Sequence, residues 1–114
     1  MVFAVIEFAA DITGAELELA SAGAPPCTAS PAPYPELLEG AAWRVEERID
    51  LTSGFDDISR RELVAFETRS DRLLALLGTS EFATRLALRR AKVAGIGDGS
   101  IRRALYVARP AVQE

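Results

Sequence analysis

The sequence predicts an α+β fold. A small, mostly antiparallel sheet is expected from an N-terminal hairpin, the 41–52 segment and a strand over 101–109, covered on one face by two helices over 60–77 and 80–92. Three observations lead there: strict alternation of apolar side chains at the N-terminus, a capping pattern ahead of an amphipathic run, and a glycine-rich turn before a second alternating segment. At 114 residues, with 49% hydrophobic and 26% charged side chains, the chain is the size and composition of one globular domain spanning 1–114.

Val2, Ala4, Ile6, Phe8 and Ala10 alternate with Phe3, Val5, Glu7 and Asp11, which is strand periodicity. Thr13 and Gly14 supply turn chemistry, and Glu16, Leu17, Glu18 and Leu19 alternate again, so 2–21 reads as a β-hairpin. Residues 22–35 then carry five of the six prolines, which cannot donate to a hydrogen-bond ladder, and an extended loop or linker follows. Residues 36–52 fit both periods. Gly40 is costly inside a helix, so a short helical turn over 35–39 followed by a strand is favoured.

Ser59 with Glu62 three residues on matches a capping box, and Gly78 stands where a left-handed C-cap belongs, giving a helix over 60–77. Leu63, Phe66, Ser70, Leu73, Leu74 and Leu77 share one arc of that helix. Ser80 and Glu81 open a second helix, with Phe82, Leu86 and Val93 on one face. The Gly95 to Ser100 run is a tight turn into the last strand, whose Ile101, Leu105 and Val107 share a face.

Net charge is −4, but unevenly spread. Residues 1–57 hold 11 acidic and 2 basic side chains, whereas 58–114 hold 6 acidic and 11 basic, an asymmetry that hints at an interaction surface. The chain has no histidine, which removes the commonest general base, the commonest metal ligand and every serine–histidine or cysteine–histidine nucleophile pair. Cys27 is a lone thiol in a Pro-Pro-Cys-Thr context with no cation nearby, so it reads as a passive loop residue. Glu46, Glu47, Asp50, Asp56 and Asp57 are dense enough to suggest a hard cation, but lack the register of a calcium loop and read as a solvated acidic face or as helix-start charges. The glycine run precedes a strand and lacks the spacing of a phosphate loop, so it reads as a turn. No cofactor and no catalytic residue are expected.

The strongest functional candidate is a basic group: Arg85, Arg89, Arg90, Lys92, Arg102, Arg103 and Arg109. Two functions follow from it. The first is a non-catalytic protein–protein interaction or assembly subunit, a homo-oligomer in which the acidic surface of one copy meets the basic surface of another, aided by a two-sided apolar N-terminal strand. The second is nucleic-acid binding through phosphate contacts, against which stand an isoelectric point near 4.9 and few aromatics among those arginines. No apolar run is long enough for a membrane span and no signal peptide precedes the first strand, so a cytoplasmic location without membrane partners is expected.

Overall fold

In the computed structural model, residues 1–25, 28, 30 and 32–111 are described. Cys27 lies outside the described residues. The N-terminal alternation forms β1 (Val2–Phe8), but its partner is not the next segment along the chain. β1 pairs antiparallel with β3 (Ile101–Pro110), and β3 pairs on its other side with β2 (Trp43–Asp50), giving the sheet order β1-β3-β2. The α+β class therefore holds, and the segments expected at 41–52 and 101–109 are strands.

The expected N-terminal hairpin is a correction. Residues Gly14–Ser21 form a helix, α1, capped by Thr13, whose hydroxyl accepts the Glu16 N–H at 3.4 Å and donates to Glu16 Oε1 at 2.7 Å. The Thr13-x-x-Glu16 spacing is that of a capping box, as the sequence also shows at 59–62, with the glutamate here taking the Thr13 hydroxyl in place of its backbone N–H. Four alternating residues cannot separate the two periods; here Leu17 and Ala20, three apart, turn inward while Leu19 is 75% exposed.

The helical turn expected at 35–39 is present as a short helix, α2 (Tyr34–Gly40), with Pro35 in its first turn. The helix expected over 60–77 starts earlier and is interrupted. α3 runs Thr52–Thr68 and α4 Ser70–Leu77, broken at Arg69. Ser59 is therefore no cap: it lies mid-helix and only 2% exposed. The residue that serves the start of α3 is Asp50, whose Oδ1 accepts the Thr52 N–H at 2.9 Å. The Thr52 hydroxyl, seconded by that bond, holds the Asp50 carboxyl below its ordinary range. Gly78 does end α4 with a positive φ of 83°, but its ψ of 165° is extended, so it is not the left-handed C-cap expected. The last helix, α5 (Thr79–Gly97), outruns the expected 80–92 and takes in Gly95 and Gly97, leaving a turn in which the Ser100 N–H is accepted by Asp98 Oδ1 at 2.9 Å.

The core lies where α1, the start of α3 and the end of α5 meet one end of the sheet. Ile101 is fully buried there against Ile96, Ala20 and Ala24, with Ile6, Phe8, Ile12 and Phe55 around it. Small residues allow this closeness. A side chain at Gly95 would strike Ile101, and one at Gly23 would strike the backbone of Ala91 and Lys92. Gly23→Ala is thus expected to push α1 and its loop off α5, costing about 2 kcal/mol as an overpacking effect and lowering the urea midpoint correspondingly.

The rest of the helical part projects away from the sheet. α3 and α5 run antiparallel with α4 at the far tip, joined by Phe66 and Phe82, whose rings stack at 5.3 Å. The molecule measures 63 × 27 × 22 Å. Its radius of gyration is 17.1 Å, against about 13 Å for a compact chain of this length.

Candidate functional site

The seven basic candidates do not form one free surface. On α5, Arg85 Nε pairs with Glu81 of the same helix at 2.7 Å. Lys92 Nζ lies 3.4 Å from Glu62 and Arg90 3.4 Å from Glu67, both on α3. Arg89 Nε is 3.3 Å from Glu62, at ion-pair distance without hydrogen-bond alignment, and its guanidinium sits 4.4 Å from the centre of the Phe66 ring. On the sheet, Arg109 pairs with Glu46 at 3.0 Å. The basic stripe of α5 is answered mainly by Glu62 and Glu67 of α3, which belong to the same basic half of the sequence, so this pairing occupies the stripe without accounting for the difference between the halves. Exposed pairs of this kind contribute at most about 1 kcal/mol each.

Arg102 and Arg103 differ. Among the described residues neither makes an ion pair, yet consecutive strand positions send them to opposite faces of the sheet. Arg103 is half-buried beside Ala4, Ile6 and Phe55, while Arg102 stands on the face carrying Glu7, its register partner. They cannot present a joint phosphate-binding edge. Four of the five acidic candidates are also locally engaged, while Glu47 makes no ion pair among the described residues. Glu46 pairs with Arg44 and Arg109, Asp56 with Arg60 and Asp57 with Arg61, and Asp50 serves α3. Among the described residues no group of acidic or cysteine side chains is arranged to hold a metal ion.

A polar cluster that the sequence did not single out lies on the Arg102 face. Glu7 of β1, Tyr106 of β3 and Arg48 of β2 meet across the three strands. The Tyr106 hydroxyl donates to Glu7, with Oη 2.8 Å from Oε2, and accepts from Arg48 Nε at 3.2 Å. Arg48 Nη2 donates to Glu7 Oε1 at 2.8 Å. Register builds the arrangement, since Tyr106 stands opposite both Phe3 and Arg48. The Tyr106 ring is fixed by Phe3 at 5.4 Å and Tyr34 of α2 at 5.9 Å. Burial, foremost, raises the Tyr106 hydroxyl above its ordinary value; the Glu7 bond adds to this and the Arg48 bond opposes it. The Arg48 guanidinium is held charged by its bonds to Glu7 and Tyr106.

A raised tyrosine favours the neutral form in the folded state. Its contribution to stability is complete below pH about 10 and is lost as pH rises through the raised value. Thermal melting is therefore expected to fall on the alkaline side, and Tyr106→Phe to flatten that limb, read by melts at stepped pH.

The cluster floors a cleft of about 450 Å³, whose walls include Phe8, Ile12, Leu17, Pro33 and Tyr34 and whose rim carries Arg102. A second surface feature is the arm itself, where Ile58, Val64, Leu74, Leu76 and Leu88 stand exposed, Leu76 at 75%. No helix among the described residues is long and apolar enough to cross a membrane. No protein-family model matches the sequence, and no curated protein resembles it significantly.

Proposed function

We propose that the protein is a non-catalytic assembly or protein–protein interaction module that self-associates, with a second copy covering the apolar side chains of the α3–α4–α5 arm. The observation that carries this reading is the surface the folded chain leaves bare. It exposes 7487 Å², against about 6,100 Å² for a compact monomer of 12.3 kDa. The excess, roughly 1,400 Å², is more than the roughly 800 Å² each partner buries in a standard interface. Leu74, Leu76 and Leu88 add the apolar character such a contact needs.

Charge complementarity supports the reading less than the sequence suggested, because Arg85, Arg89, Arg90, Lys92 and Arg109 already have carboxylates beside them. The contact is then mainly apolar and tolerant of salt. Sedimentation velocity over a concentration series at low and high salt tests this. A dimer that forms with concentration and persists at high salt is expected; a monomer at every concentration and ionic strength removes the reading. Binding of mixed nucleic-acid probes that weakens linearly with log salt would favour phosphate recognition instead.

A further inference from the structure

We propose that the cleft over Glu7, Arg48 and Tyr106 binds a small amphipathic carboxylate: one anionic head on an apolar aliphatic or aromatic body. The inference is independent of self-association, since the cleft lies on the sheet and not on the arm.

Its volume, about 450 Å³, falls within the range of small-ligand sites, and its make-up is theirs: apolar walls with a few convergent polar groups. Phe8, Ile12, Leu17 and Tyr34 supply the walls. The floor is rigid, because Glu7, Tyr106 and Arg48 hold one another by hydrogen bonds and Phe3 and Tyr34 pack on the Tyr106 ring. A preformed site of this kind loses little entropy when a ligand enters.

Charge selects the head group. Among the described lining residues Glu7 is the one carboxylate and Arg48 and Arg102 are the two cations, so the lining carries one net positive charge, with Asp50 outside the lining near enough to interact with Arg102 but not to pair with it. Glu7 answers Arg48 at 2.8 Å. Arg102 has no carboxylate at ion-pair distance among the described residues, and its Nε donates to the Gly99 carbonyl at 3.1 Å, which anchors the guanidinium at the rim with its two terminal nitrogens unengaged. Those nitrogens form the fork that takes a carboxylate bidentately. A cationic ligand would meet two guanidiniums, and a neutral one would add no ion-pair partner to Arg102, which has none among the described residues.

Titration calorimetry with octanoate, and with 1-octanol as its uncharged counterpart, tests the proposal. Octanoate is expected to bind saturably with one site per chain, and octanol at least about tenfold more weakly for want of the charge-assisted pair. Arg102→Gln, at an exposed position without a carboxylate partner, is expected to keep the fold, checked by its melting curve, and to bring octanoate down to the affinity of octanol. Amide shift mapping locates the ligand: changes at Glu7, Phe8, Leu17, Tyr34 and Arg102 support the site. Absence of saturable binding, equal affinity for octanol, an unchanged Arg102→Gln variant, or shifts confined to 70–90 on the arm would each overturn it. The last outcome would leave the self-association reading intact.

Discussion

Replacing Ile101 with alanine is expected to remove about 4 kcal/mol of stability, near the upper part of the range for aliphatic core truncations. The residue has no exposed surface and joins β3 to the end of α5, α1 and Ala24, so its loss opens a cavity at the one place where all the layers meet. Relaxation cannot fill that cavity easily. Its neighbours Ala20 and Ala24 are too short to reach in, and the Gly95 backbone is fixed by helix α5. For a small domain of marginal stability this is a large share of the total. The check is a urea midpoint, with Ile101→Val as a control expected to lose about 1 kcal/mol.

The second large effect is expected at Arg48. Arg48→Met leaves Glu7, 13% exposed in its side chain, with only the Tyr106 hydroxyl as a partner. Stranding a largely buried carboxylate costs about 3 kcal/mol, at the low end because Arg48 itself is one-third exposed. Changing both partners, Glu7→Leu with Arg48→Met, is expected to recover much of that loss, since the uncompensated charge goes with it. The residue of the cost belongs to the Tyr106 hydroxyl, now without an acceptor. A double-mutant cycle by chemical unfolding separates these contributions.

The parts of the fold legible in the sequence are those set by local pattern over long runs. The alternation of 2–8 and 101–109, the ambiguous stretch that becomes β2, and the helices carrying Leu63 and Phe66 (α3) and Phe82 (α5) all appear where the periodicity put them. What was missed depends on contacts distant in sequence or on motifs that match twice. Thr13–Glu16 and Ser59–Glu62 are both capping boxes on paper; only the first sits at a helix start, because Leu51 and Thr52 are tied to the Arg103 carbonyl of β3 and nucleate α3 earlier. Asp98-Gly99 looks like a hairpin turn, yet Gly95 lets α5 continue down to Ile101, and the turn joins helix to strand.

The polar cluster was hidden for the same reason. Glu7 was visible as a carboxylate among the apolar residues of β1, which is a signal worth following. Its partners, however, lie 41 and 99 positions away and meet it only once the β1-β3-β2 order is known. The basic candidates show the reverse error. Arg85, Arg89, Arg90 and Lys92 form a helical stripe, but a stripe says nothing about what faces it, and here α3 supplies Glu62 and Glu67.

The central claim, that the arm is covered by a second copy of the chain, is tested most directly by light scattering on the wild type and on Leu76→Lys with Leu88→Lys. Both positions are exposed in the single chain, so the variant is expected to melt as a folded protein while its mass falls to 12.3 kDa, with the wild type approaching twice that value. A wild type that stays at 12.3 kDa over the whole concentration range, or a folded variant that dimerises as well as the wild type, would contradict the account.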